Sequence, residues 1–236
     1  MTTAQPTTSF HVRLGALKDQ LVAQGRLVQR SIEDAVEAVF DRKSGKAAEV
    51  IARDHEIDRV DIQIEKAAVQ LMVDEWGNPG VKAEDLRMVL TIVKVNNEFE
   101  RIGDLATVIA EKHNAVGASA LSIPGKFRVM ANSVIGIMHT TNAAFGQMDV
   151  QAAQLVLASD DATDAFKTAI LRDIEDGLVK GLHTVDYAFA LGRIAHSLAR
   201  MADHCTNVAE QVIYVTSGKI VRHQGEKWTG PQDPGA

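Results

Sequence analysis

Four segments of this chain are spaced to gather oxygen ligands. Asp54 with Asp58, Glu100 with Asp104, and Asp160 with Asp164 are acids four residues apart, and Asp203 stands four after Ala199, which keeps the spacing without the charge. On a helix, i and i+4 share a face, and two like charges there destabilise it by roughly 0.2–0.5 kcal/mol. Such pairs call for water, a neighbouring arginine or a bound cation. Arg53, Arg59, Arg101 and Arg200 are close enough in sequence to serve as the arginines.

Residues at one level of an antiparallel helical hairpin are equidistant from its turn. Asp54 with Asp104, and Asp58 with Glu100, are each centred on Pro79, inside the turn signal Trp76-Gly77-Asn78-Pro79-Gly80. Asp160 with Asp203, and Asp164 with position 199, are centred between Gly181 and Leu182. Each acidic level would lie roughly 30 Å from its turn at about 1.5 Å per residue. In the first half, four carboxylates could converge on one level of adjacent helices, which is how helical bundles build oxygen-rich metal sites. Oxygen-only ligands suit iron, manganese, magnesium or calcium, with zinc admitted, and the spacing does not choose among them. The competing reading is a set of solvated acidic faces balanced by the arginines.

The elements that would position these acids are helices. Proline stands only at 6, 79, 124, 231 and 234, and a proline inside a helix costs about 3 kcal/mol, so the long intervals between are free to be helical. Apolar residues recur with a period near 3.6. The spacing predicts a first helix from Val12 to Phe40, a second from Lys46 to the Trp76 turn, and a third from Ala83 to Ala115. After a Gly- and Ser-rich joint at 116–125, it predicts helices over 127–147, 150–180 and 183–216. No strand pattern competes. Arg101 and Asp104 recur as Arg200 and Asp203, an offset of 99 residues, so the chain reads as an internal repeat: all-α, two tandem three-helix bundles of six long antiparallel helices. The expected divisions are 1–118, 119–217 and a flexible tail at 218–236.

Composition narrows the function class. A formal net charge of −6 and the lack of a basic stripe argue against nucleic acid. No stretch approaches 18 uninterrupted apolar residues, so no transmembrane segment is expected, and the first residues lack the pattern of a signal peptide. The single cysteine, Cys205, fits a reducing cytoplasm and reads as a small core residue. His55 and His204 adjoin acids in sequence and so point about 100° away from them, which makes them surface or interface residues.

The segments ERIGDLA at 100–106 and ADHCTNVAEQVIYVTSGK at 202–219 resemble the PhoU family of accessory regulators of bacterial phosphate uptake, as do AEVIARDHEID at 48–58, AEDLRMVLTIVK at 83–94 and LVLASDDATD at 155–164. The resemblance implies two tandem three-helix bundles, acidic motifs that hold metal ions or clusters, and no catalytic activity. Carried over residue by residue, it marks Asp54, Asp58, Glu100 and Asp104 as ligands in the first half, and Asp160, Asp164, Asp203 and Asn207 in the second. In the first half Val108 stands where Asn is frequent; in the second Ala199 replaces the usual Glu, and the loss of that anionic ligand is expected to make the second site the weaker. Arg101 and Arg200 would support the acids. The resemblance further implies a negative regulator of phosphate-starvation signalling, cytoplasmic or peripheral at the inner membrane through its partners. Those partners would be the ATPase subunit of the phosphate ABC transporter and a phosphate-sensing histidine kinase. It also implies a homodimer, with the exposed face of the first helix as one candidate surface. Two rivals stand beside this: a structural helical adaptor without functional metal, and a di-metal carboxylate enzyme. The latter needs Glu-x-x-His on two helices, which does not occur at the acidic level.

Overall fold

The computed structural model describes residues 9–118 and 123–218. The six-run helical plan is present, and two of the six runs are interrupted, which gives eight helices: α1 Phe10–Phe40, α2 Ser44–Asp74, α3 Ala83–Ala110, α4 His113–Gly117, α5 Gly125–Gln147, α6 Val150–Leu157, α7 Asp160–Val179 and α8 Val185–Ser217. The described residues contain no strand. Most of the 218–236 tail and part of the joint at 116–125 lie outside them.

Local chemistry explains the boundaries. The backbone N–H of Lys82 donates to the Asp85 carboxylate at 2.9 Å at the start of α3, and Thr184 Oγ1 accepts from the Tyr187 N–H at the start of α8. The hairpin turns at Gly77 and Gly181 have φ of +78° and +67°, a backbone form that glycine adopts without a Cβ penalty. The third run stops five residues before the expected Ala115. Lys112 N–H bonds the Ile109 carbonyl at 3.0 Å in a tighter turn, and the His113 ring nitrogen meets the Ala110 carbonyl at 3.1 Å. The fifth run, expected unbroken from 150 to 180, breaks at Ala158-Ser159. There the Ser159 hydroxyl donates to the Val156 carbonyl at 2.6 Å and competes with the helical ladder.

The helices α1, α2 and α3 pack as one bundle, and α5 to α8 as the other. The halves join along α3 with α8 and α1 with α5, and one apolar core runs through both. Phe99, Phe127, Phe145 and Tyr187 are among its largest fully buried side chains. Cys205 belongs to this core, and burial pushes its thiol up to about 12, where it is inert at neutral pH.

Two glycines in α1 differ sharply in surroundings. A Cβ at Gly25 would sit 2.3 Å from Asn142 Oδ1 and 2.9 Å from Phe99, whereas one at Gly15 would meet nothing within 4 Å. Gly25→Ala is therefore expected to destabilise by about 1–3 kcal/mol through overpacking at the α1–α5 crossing, and Gly15→Ala to stabilise by about 0.5–1 kcal/mol. Urea unfolding of both variants checks this; a stable Gly25→Ala protein would mean that the helices do not approach so closely.

Candidate metal centre

The α2–α3 hairpin brings its acids to one level. Asp54, Asp58 and Asp104 each offer a carboxylate oxygen within 4.8 Å of the others, all three half-buried. Among the described residues this is the one place where three such ligand groups meet. Glu100, one turn before Asp104 on α3, is also half-buried. Gly103 allows the approach: a Cβ there would lie 3.2 Å from Ile57 Cδ1 and 3.9 Å from Asp54 Oδ1. Ile57, 1 % exposed, sits between the two aspartates of α2 and anchors that face in the core.

The electrostatics are those of a crowded anionic site. Burial, followed by Asp58 and Asp104, raises the carboxyl pKa of Asp54 above its ordinary value. Burial, followed by Asp104, does the same for Glu100, while Arg101 opposes it. Asp54 Oδ1 is buried and accepts no hydrogen bond, although the Thr107 hydroxyl opposes the rise in the Asp54 pKa; Glu100 Oε2 is likewise buried, with Arg101 as its ion-pair partner. Arg101 lies on the outer side, its Nε 3.3 Å from Glu100 Oε2 and its Nη1 3.3 Å from Asp104 Oδ2. It offsets part of the repulsion from a position that remains exposed.

A further acid belongs to this neighbourhood. Asp61, three residues after Asp58, is half-buried, and its carboxyl pKa is raised by burial and then by Glu65 and Asp58. The buried Asn96 amide donates to Asp61 Oδ1 at 2.6 Å and to its backbone carbonyl at 3.0 Å. The signal was available in the spacing, since Asp61 and position 97 are also centred on residue 79.

The second half is built differently. Asp160, Asp164 and Asp203 are all exposed. Burial and then Asp203 and Asp164 raise the pKa of Asp160, and burial and then Asp164 raise that of Asp203, so the three sense one another. Yet their oxygens do not converge as those of the first half do. Asp164 is paired with Lys167, and Asp160 lies in the first turn of α7, where a negative charge favours the helix dipole. Asn207 is directed elsewhere: its amide donates to Glu98 Oε2 at 3.1 Å, on α3. Ala199 is 3 % exposed and packed in the core. Arg200 is exposed and acts on Asp203 only as a minor opposing charge. His204 meets Glu98 Oε2 at 2.6 Å, an interface contact between the halves, and His55 is exposed.

The PhoU domain family model matches residues 21–112 and 127–212. The chain is 31% identical over 215 residues to the phosphate-specific transport system accessory protein PhoU homolog 1 of Thermotoga maritima, an alignment covering 90% of this chain and 91% of that one. It is 30% identical over 221 residues to the Pseudomonas putida PhoU homolog, covering 92% and 84%. The crystal structure of PhoU from Pseudomonas aeruginosa superposes with a TM-score of 0.84 at 27% identity, covering 89% of this chain and all of that one.

Carboxyls raised by burial and mutual repulsion bind protons more readily in the folded than in the unfolded state. Their contribution to stability is present below the ordinary carboxyl pKa and is lost as pH rises through the raised values. The metal-free protein should therefore lose stability as pH climbs from the mildly acidic range toward neutrality. Asp54→Asn should flatten that profile and stabilise the neutral protein by roughly 0.2–0.5 kcal/mol. Chemical denaturation across pH with a chelator present reads the effect, and an unchanged profile would mean that the repulsion is already screened.

Proposed function

The chain belongs to the PhoU family, and from that premise we propose that it is a metal-binding negative regulator of phosphate uptake and phosphate-starvation signalling. It acts as an interaction protein and not as a catalyst. The observation that carries the metal reading is the convergence of Asp54, Asp58 and Asp104 within 4.8 Å, with a buried Asp54 oxygen left unpartnered. These three, with Glu100 beside them, would hold a hard or borderline divalent or trivalent ion: iron, zinc, manganese or magnesium. When bound, such an ion supplies the positive charge that the carboxylates lack. The residues themselves would tie α2 to α3 through the ion, at a level where packing already holds the acids together against their repulsion. The second half, with exposed acids, a lysine on Asp164 and Ala199 in the fourth position, would bind more weakly.

The relatives are named accessory proteins of a phosphate-specific transport system, which supports a docking role at the phosphate ABC transporter. The finer partners in this proposal are its ATPase subunit and a phosphate-sensing histidine kinase, met by a homodimer on the cytoplasmic face of the membrane. Among the described residues no helix is long and apolar enough to cross a membrane, so attachment would run through partners.

Metal analysis of protein purified without a chelating tag, together with thermal melts in iron, manganese and zinc, tests the site. The expected result is stoichiometric metal and a raised Tm, both lost in Asp54→Ala/Asp104→Ala and kept in Asp160→Ala/Asp203→Ala. No metal and no stabilisation by any of the three ions would favour a structural adaptor instead. Pull-down from phosphate-replete cells with the same variants then asks whether the partner depends on the site.

A further inference from the structure

The acids of this protein are unevenly placed, and the seam between α1 and α5 is where they are missing. Helix α5, Gly125–Gln147, contains no Asp or Glu, although it carries Lys126, Arg128 and His139. The stretch of α1 from residue 20 to 32 likewise has no acid but carries Arg26 and Arg30, four apart on one face. Like charges at that spacing disfavour the helix as the acidic pairs do, and here the missing counter-charge is an anion.

The cations at the start of α5 already have partners. Arg128 pairs with Asp41 and Lys126 with Asp173. Arg26 and His139 make no hydrogen bond or ion pair with any other described residue. Both line a groove of about 460 Å³ on the seam, with Gln29 and Gln147 beside them and no carboxylate in its wall. That volume falls within the range of small-molecule sites. The floor is set by Asn142, 6 % exposed, whose amide donates to the Val22 carbonyl at 3.2 Å. Two acids close by in sequence are already partnered: Glu33 accepts from Nε2 of the wall residue Gln29 at 2.9 Å, and Asp149 caps α6. Near the end of α5 the Ala144 and Phe145 carbonyls accept from the Asp149 and Met148 N–H groups.

We propose that this groove binds an oxyanion of the phosphate class, inorganic phosphate or a phosphate monoester. The Arg26 guanidinium and His139 supply the principal contacts from opposite walls, and the Gln29 and Gln147 amides lie beside them. A guanidinium offers several N–H donors in one plane, and donors on two helices can reach different oxygens of a tetrahedral anion. The α2–α3 acids could not do this, since they repel an anion, so the site does not depend on the metal reading above.

Calorimetric titration of the full chain in chelator tests the assignment, with inorganic phosphate in one arm and glycerol phosphate in the other. Binding in either arm is expected, and the tighter arm identifies the source. Arg26→Ala and His139→Gln should each weaken it by about tenfold or more, since each removes a charge-assisted contact. Asp54→Ala/Asp104→Ala should leave it unchanged, and thermal melts should show all variants folded, because Arg26 and His139 are exposed. No heat from either ligand at millimolar concentration would overturn the proposal, as would full binding in both seam variants. Loss of binding in the acidic variant alone would also overturn it, by placing the anion at the α2–α3 site.

Discussion

The approach of α2 to α3 at the level of Gly103 is the constraint from which the chemistry of this molecule follows. A glycine on the inner face of α3 lets Ile57 seat against it, and Ile57 lies between Asp54 and Asp58 on α2. Burial of that one apolar side chain, worth about 1.5–3 kcal/mol, therefore draws two carboxylates toward the acids of α3. The like-charge cost of the crowding is a few tenths of a kcal/mol per pair, so packing prevails and the acids remain together. What results is a half-buried anionic cluster whose geometry is imposed by the core and does not depend on its own attractions.

The two halves share this plan but not its outcome, and the difference can be traced to single contacts. In the second half Ala202 occupies the position of Gly103 and Ala199 that of Glu100 in the repeat, so one carboxylate is missing at the corresponding level. Lys167 attends Asp164, and Asn207 is drawn across the α3–α8 seam to Glu98, where His204 also binds. The acids left on this side face water, and Asn207 and His204 serve the joint between the bundles. One half thus keeps the chemistry while the other contributes more to assembly.

Helical content, the internal repeat and the levels of the acids were legible because each is a one-dimensional property: a period near 3.6, an offset of 99, and distances from a turn. Asp54, Asp58 and Asp104 could be brought together from those distances alone. Contacts between the halves could not. Nothing local to Asn207 announces Glu98, because that pairing depends on how α8 crosses α3, and the family resemblance implied acids of its own bundle as its neighbours. The break at Ser159 was hidden for another reason, since a serine inside a helical pattern is ordinary until its hydroxyl takes the carbonyl of Val156. Asp61 stands outside the i, i+4 pair of Asp54 and Asp58, spaced i+3 from Asp58, and its counterpart at position 97 is an asparagine.

Charge is distributed across the fold in a way that net charge conceals. A total of −6 suggests a uniformly acidic surface, yet α2, α3, α7 and α8 carry the acidic levels while the α1–α5 seam carries none through residues 20–32 and 125–147. Within a small domain such fields are felt across a Debye length of about 8 Å at physiological ionic strength. The acidic levels and the acid-free seam lie on different helix pairs, so neither cancels the field of the other. The duplication sets like against like: the first helices of the repeat, α1 and α5, pack on each other, and so do its last helices, α3 and α8. An acidic face and an acid-free face are consequently built into the same arrangement of helices, over a single continuous core.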